Sequence, residues 1–88
     1  MKKLVQVQEV EGEGLIALLG QRVTLFCMNY IYTGTLVGVN DGDVLLDDAA
    51  IVYETGAMMD KAWKDAQKLP HQWYVRVSAI ESFGLLKG

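Results

Sequence analysis

The sequence predicts a small all-β domain with little helix, in which five short antiparallel strands form a strongly bent sheet or open barrel. Three observations support this prediction. Between residues 22 and 53 apolar side chains recur with the two-residue period of strands, glycines interrupt one of these runs, and a dense turn sequence, Asn40–Asp43, follows it. The interrupting glycines, Gly34 and Gly38, predict bulges or sharp bends, so we expect this strand to curl strongly.

The chain begins with a polar stretch followed by a short helix. Residues 1–14 contain loosely alternating valines, which favours an extended arm or a short strand. The run Leu15–Leu19 consists of helix formers but is too short for a free-standing helix, so it predicts one or two turns. We expect Gly20 to end them, because glycine tolerates a positive φ angle.

Three strands follow in close succession. In the first, Arg22–Met28, both alternating sets of side chains are largely apolar, which predicts that both faces are covered. The second strand spans Ile31–Val39, and the third spans Val44–Tyr53 after the Asn40–Asp43 turn.

Residues 54–72 interrupt the β pattern and form an insertion between the third and fourth strands. Within it, Ala57–Leu69 has apolar residues at helical spacing and opposite charges four residues apart, which predicts a helix that Pro70 ends. Two short strands, Trp73–Val77 and Ile80–Phe83, follow. Open edge strands invite pairing, so we expect these two to pair with a neighbouring subunit.

Composition limits the class of protein further. The chain has 88 residues, 51% hydrophobic and 22% charged, and we interpret residues 1–88 as one globular domain. A net charge of −3 excludes a nucleic-acid binder that works by positive charge alone. The single cysteine, Cys27, excludes an intrachain disulfide. The apolar stretches are too short to cross a membrane, so we expect a soluble, cytoplasmic protein without a cofactor.

The sequence contains no arrangement typical of an active site. The single histidine, His71, has no sequence context that would hold it for nucleophilic catalysis, and we expect it to be solvated. We therefore predict no catalytic residues, no metal ligands and no enzymatic activity.

Four sequence blocks, taken in order, resemble the Sm and Sm-like family. The first three resemble its first motif, which has a glycine before strand one, a Gly-x-Leu bend in strand two and a leucine-rich strand three. The fourth resembles its second motif, in which an arginine ends strand four and hydrophobic residues begin strand five. The blocks are Leu19–Leu25, Tyr32–Val39, Leu45–Ala49, and Val75–Arg76 followed by Ile80. The resemblance is to a divergent bacterial or phage-type member.

The resemblance implies an N-terminal helix on a five-stranded bent barrel, and a homo-oligomeric ring of about five to seven copies. In such rings strand four of one subunit pairs with strand five of the next, so the chain is its own partner. We therefore expect two residues of each strand at the subunit contact, namely Val75, Val77, Ile80 and Phe83.

Many members of the family bind single-stranded, often uridine-rich, RNA around the pore. Carried over, the resemblance gives four RNA-binding residues, which are Asn40, Asp41, Gly42 and Arg76. The turn is about one residue shorter than in the family, Gly42 has no side chain on which a base could stack, and Val77 replaces a glycine. We therefore expect a ring that binds single-stranded RNA or a nucleotide ligand at its pore. Because the acidic residues around the turn repel phosphate, the alternative is a scaffold ring without nucleic acid.

In the scaffold alternative, a protein docks on the predicted helix Ala57–Leu69. The docking side chains are Met58, Met59 and Trp63, because methionine and aromatic groups adapt to partners. The same residues would equally form the packed face of that helix.

The predicted RNA-binding residues also have purely structural interpretations. Arg76 would end its strand in a salt bridge with an acid such as Glu81, and Asn40 would be an ordinary turn former. Cys27 lies in an apolar strand, which predicts a buried and unreactive thiol.

Overall fold

The computed structural model of the chain describes residues 14–53, 56, 63 and 65–85. Six strands and two single-turn 3-10 helices make up this part. In chain order they are a 3-10 helix at Leu15–Leu18, β1 at Arg22–Cys27, β2 at Ile31–Val39, β3 at Asp43–Val52, β4 at Ala66–Lys68, β5 at Trp73–Arg76, a 3-10 helix at Val77–Ala79 and β6 at Ile80–Gly84. All pairs are antiparallel in the order β4-β3-β2-β1-β6, with β5 also paired to β3. The prediction of a mostly β chain with an open antiparallel sheet is confirmed.

The second strand, β2, contains the breaks in pairing that its glycines predict. Its register with β3 shifts twice, once between Thr33 and Thr35, across Gly34, and once between Leu36 and Gly38. At Gly34 a Cβ atom would lie 2.9 Å from the Leu46 Cβ and 3.1 Å from the Asp47 carbonyl oxygen. Only glycine allows the two strands to approach this closely, which explains the bulge at this position.

The sheet curls, because β5 and β6, which lie at opposite ends of the path β5-β3-β2-β1-β6, are consecutive in the chain. β5 pairs with β3, β6 pairs with β1, and the 3-10 helix Val77–Ala79 joins them directly. In a flat sheet these strands would lie about 19 Å apart, whereas a three-residue link spans at most about 14 Å between its flanking Cα atoms. The bends in β2 therefore bring the two ends of the sheet toward each other.

One face of the sheet carries the hydrophobic core. Its members are buried and come from β1, β2, β3 and β5. They are Val23, Leu25, Leu36, Val44, Leu46, Ala49 and Val75. The first 3-10 helix packs Leu15 and Leu18 against this core, and the Gly20 N–H group donates to the Leu36 carbonyl oxygen at 2.7 Å.

The opposite face is covered as well. Thr24, Thr33 and Ala50 stand side by side on β1, β2 and β3, and all three are buried. The Trp63 ring meets the Phe26 ring edge to face, with 6.5 Å between centroids, and Trp63 is 7% exposed. The prediction that both faces of the first strand are covered is therefore confirmed.

Both predicted helices differ from the structure. The N-terminal helix is a single 3-10 turn over Leu15–Leu18, although Gly20 has the expected positive φ angle of 86°. The predicted helix Ala57–Leu69 is wrong in its last turn, because Ala66–Lys68 is the strand β4. Asp65 lies in a turn, and Trp63 and Leu69 are in neither helix nor strand, while residues 57–62 and 64 lie outside the described residues. The strand count is accordingly six rather than the predicted five.

The extra strand has a tertiary cause. β3 is 10 residues long and β5 pairs only with its first half, so its second half needs another partner. β4 pairs with residues 50–52, and Leu69 extends the contact by donating its N–H group to the Ala49 carbonyl oxygen at 2.8 Å. Helix propensities differ by only a few tenths of a kcal/mol per residue, so these sheet hydrogen bonds decide the local structure.

Candidate functional site

The turn between β2 and β3 is closed by the side chain of Asn40. The Asn40 Oδ1 atom accepts hydrogen bonds from the N–H groups of Gly42 and Asp43, each at 2.8 Å. The Asn40 N–H group donates to the Asp43 carbonyl oxygen at 3.0 Å. This is the geometry of an asparagine-closed turn. The side-chain oxygen therefore serves the turn, and the side-chain amide N–H groups are what Asn40 can offer a ligand.

Arg76 lies beside this turn, on the neighbouring strand β5. Its position pairs with Asp43, and its Nε atom is 3.9 Å from the Asp43 Oδ1 atom. The next residue, Val77, donates its N–H group to the Gly42 carbonyl oxygen at 2.9 Å. The structure thus brings the four predicted RNA-binding residues together, with the Arg76 side chain 82% exposed. The acid beside Arg76 is Asp43 and not Glu81, because β3 is the strand that pairs with β5.

Each cation among the described residues lies near an aspartate. The Lys68 Nζ and Arg22 Nη1 atoms lie 2.8 Å and 3.3 Å from the two carboxylate oxygens of Asp48. Arg22 also donates to the Asp48 carbonyl oxygen at 2.7 Å. The hydrogen bond and charge of Lys68, together with the more distant charge of Arg22, lower the pKa of the Asp48 carboxyl group. The third cation, Arg76, pairs with Asp43.

The described part of the chain is acidic. Six carboxylates accompany the three cations, and they are Asp41, Asp43, Asp47, Asp48, Asp65 and Glu81. Asp41 and Asp43 belong to the turn that faces Arg76. A phosphate group that approached this turn would therefore be repelled by two carboxylates and attracted by one guanidinium.

β5 presents an open outer edge. Val77 bonds to Gly42 across the β5–β3 ladder. Backbone groups of successive residues in an antiparallel ladder point to opposite sides, so Val75 also faces β3, whereas Tyr74 and Arg76 face away from it. Among the residues that the structure describes, no strand pairs with this side of β5. The Tyr74 side chain beside it is 68% exposed.

β6 presents a second open edge at the other end of the sheet. Cys27 donates its N–H group to the Tyr30 carbonyl oxygen, so its backbone groups point toward the β2 side of β1. The backbone groups of Phe26, the preceding residue, therefore point the other way, toward β6, where Phe26 pairs with Ser82. Phe83, the next residue, therefore turns its backbone groups away from β1. Its side chain is 42% exposed, and no strand within the described ranges pairs with this side of β6.

Of the four residues predicted at a subunit contact, Phe83 is the one that is clearly exposed. Val75 is 5% exposed and belongs to the core of its own chain, while Val77 and Ile80 are half-buried against that core. Tyr74, which is not among the four predicted residues, is more exposed than Phe83. Alternation along the strand could have identified it, because neighbours on a strand point to opposite faces.

A shallow cleft lies beside the end of β1. It has a volume of about 230 Å³ and is lined by Cys27, Met28, Asn29, Tyr30, Tyr32 and Ala79. The Tyr30 ring also meets the Tyr53 ring edge to face, with 5.0 Å between centroids. Partial burial, together with the charge of Glu81, raises the pKa of the Cys27 thiol, so this cysteine stays protonated at neutral pH.

Trp63 does not offer its ring to a partner, because the ring is buried against the sheet beside Phe26. This agrees with the packed-face interpretation of Trp63. Met58 and Met59, the other side chains of the predicted docking surface, lie outside the described residues.

Within residues 14–53, 56, 63 and 65–85, no three His, Cys, Asp or Glu side chains are grouped so that they could hold a metal ion. No helix in this part of the chain has the length and apolar character needed to span a membrane.

In comparisons with known proteins, no family model and no curated protein matches the sequence.

Proposed function

We propose that this chain is an Sm-like subunit that assembles into a homo-oligomeric ring of about five to seven copies. In this ring the open edge of β5 in one copy pairs with the open edge of β6 in the next. The observation that carries the proposal is that β5 and β6 lie at opposite ends of one curled sheet, and that no strand among the described residues pairs with the outer edge of either. In this proposal the curled sheet is an Sm-like open barrel.

The physical chemistry of open edges supports assembly. Two different edges that pair head to tail make a heterologous contact, and such a contact closes into a ring when the rotation between copies permits. Closure covers the unpaired backbone groups that would otherwise template aggregation. It also covers the rings of Trp73, Tyr74 and Phe83, which are partly exposed in the single chain.

For the role of the ring, we favour a non-enzymatic scaffold in the cytoplasm. The three described cations each lie near an aspartate, and the turn beside Arg76 carries two carboxylates, so this surface disfavours phosphate. A lone cysteine, Cys27, fits a reducing compartment.

Sedimentation velocity and light scattering test the assembly. We expect a mass about five to seven times the 9.8 kDa of one chain. A monomer at micromolar concentration would contradict the proposal.

A proline variant tests which edge is used. Phe83→Pro removes an N–H group that faces away from β1, so the fold should persist while the mass falls to that of one chain. Ser82→Pro is the matched control, because it removes an N–H group that faces β1 and should lower the unfolding temperature. A full-size ring formed by folded Phe83→Pro would argue against the β6 edge.

RNA binding at the pore is the second candidate. It is favoured by the convergence of Asn40, Asp41 and Gly42 with Arg76 at one end of the sheet. Fluorescence anisotropy with oligo-U and oligo-A at low salt, where charge attraction is strongest, tests it. If RNA binds there, Arg76→Ala weakens binding and Lys68→Ala, at the distant Asp48 pair, does not. No binding at low salt would count heavily against this candidate without affecting the ring.

A further inference from the structure

We infer that the subunits join in one particular strand register, in which Tyr74 of one copy lies opposite Phe83 of the next and Arg76 lies opposite Glu81. The partner is a second copy of this chain. The inference rests on the proposed ring, because it specifies how the two open edges meet.

The two edges present residues at matching intervals. On β5, Tyr74 and Arg76 turn their backbone groups outward, two residues apart. On β6, Phe83 turns its backbone groups outward, and Glu81 precedes it by two residues. The pairing of β6 with β1 is irregular at Glu81, between the partner pairs Ile80–Cys27 and Ser82–Phe26, and the charge of Glu81 adds to burial in raising the pKa of the Cys27 thiol. Residues two apart on a strand point to the same side, so Glu81 lies on the side of Phe83, and Phe83 shares the face of its partner Leu25.

Antiparallel geometry couples the two contacts. Residues that exchange backbone hydrogen bonds across such a ladder place their side chains on one face, with Cα atoms about 5.5 Å apart. With Tyr74 opposite Phe83, an unbroken ladder sets Arg76 opposite Glu81. A shift of two residues in either direction sets Arg76 opposite Phe83 or Ala79 and leaves it without a carboxylate across the contact.

Charge and exposure select this register. The Arg76 side chain is 82% exposed, and its present contact with Asp43 is a loose 3.9 Å. Among the described residues, none of the ion pairs involves Glu81. A cross-strand pair of opposite charges stabilises a sheet and like charges destabilise it, while two opposed aromatic rings add contact beside the charge pair.

Charge reversal tests the ion pair in the full-length chain. Arg76→Glu and Glu81→Arg should each raise the subunit concentration at half-dissociation by about tenfold, because each sets like charges opposite each other. The double variant, Arg76→Glu with Glu81→Arg, should recover most of the loss. Asp43→Asn is the control for the intrachain contact of Arg76 and should leave the dissociation concentration unchanged within about twofold.

Disulfide trapping tests the register directly. In a Cys27→Ser background, Tyr74→Cys with Phe83→Cys should give covalent multimers under oxidation, because about 5.5 Å between Cα atoms suits a disulfide. The matched control, Tyr74→Cys with Leu85→Cys, is offset by two residues and should remain uncrosslinked. Circular dichroism of every variant checks that the fold persists.

The outcomes separate the two proposals. A monomeric wild type overturns the ring and the register together. A wild-type ring whose charge-reversal variants dissociate as the parent does, or that crosslinks through Leu85 rather than Phe83, overturns the register and leaves the ring standing.

Discussion

Gly34 is the residue on which the curl of the sheet depends most directly. A side chain there would meet the Leu46 side chain and the Asp47 backbone, both on the neighbouring strand. Backbone cannot move aside as a flexible side chain can, so the strand pair itself would have to separate.

Replacement of Gly34 by alanine should therefore destabilise the fold by about 1–3 kcal/mol. Urea unfolding followed by circular dichroism measures this loss. Gly42→Ala is the matched control, because a Cβ atom there would lie no closer than 3.8 Å to its nearest neighbour, Asn40 Oδ1. Equal stabilities for the two variants would show that the β2–β3 contact is looser than described.

Asp48 gives the stability a dependence on pH. The pKa of its carboxyl group is lowered in the folded chain, chiefly by the hydrogen bond from Lys68. The ionised carboxylate therefore stabilises the fold fully above the unfolded pKa of about 3.9, and this stabilisation is lost as the pH falls through the folded pKa. Asp48→Asn removes this contribution and keeps a residue type that tolerates the φ angle of 48° found there. The wild type should exceed the variant in urea midpoint at about pH 7, and the difference should shrink as the pH falls below about 3.9. A difference that is constant over this range would refute the assignment.

Single residues also show what the sequence predicted well and where local reasoning ends. The positive φ of Gly20 and the turn at Asn40 follow from backbone preferences, and both are found. The partner of Arg76 is Asp43 rather than an acid such as Glu81. That pairing depends on which strand lies beside β5, and the spacing of charges along the chain does not contain this information.

At the scale of elements, the insertion is anchored to the sheet by Trp63. The side chain is 7% exposed and packs edge to face with Phe26 of β1. On that face of the sheet the neighbouring positions are small, namely Thr24, Thr33 and Ala50, which leaves room for an indole.

Trp63→Ala should cost about 3–5 kcal/mol in the free energy of unfolding, because it empties a buried aromatic site. Chemical denaturation of the variant measures the loss. Trp73→Ala, which truncates a tryptophan that is 38% exposed, should cost clearly less in the dissociated chain. Similar losses for both would mean that Trp63 does not anchor the insertion.

The elements differ in how far their own sequence determines them. β2 occupies Ile31–Val39 as predicted, because alternation, two glycines and a strong turn all act within the segment. β4 was predicted as helix because its residues favour helix, and the unpaired second half of β3 decides otherwise. Val75, which the sequence predicts at a subunit contact, is buried in the core, whereas its neighbour Tyr74 is exposed, since apolar character alone does not tell which face of a strand is buried.

At the scale of the whole molecule, the proposed ring predicts a difference between neighbouring amides. The N–H group of Val75 faces β3 within the chain, whereas those of Tyr74 and Arg76 face outward. In the assembled protein all three should be protected from hydrogen exchange. In the folded Phe83→Pro monomer, Tyr74 and Arg76 should exchange at least about 100-fold faster while Val75 stays protected. Unchanged protection of Tyr74 in that monomer would exclude it from the contact.

The short link Val77–Ala79 also bears on the order in which a ring would form. Three residues connect β5 to β6, and hydrogen bonds hold both ends of this link. At one end Val77 donates its N–H group to Gly42, and at the other Ala79 accepts from the N–H group of Met28. In the proposed ring, a copy whose β5 edge binds one neighbour would thereby also order its β6 edge, which binds the next. Assembly would then be cooperative. Incomplete rings should be scarce, and the population should consist mainly of monomers and complete rings.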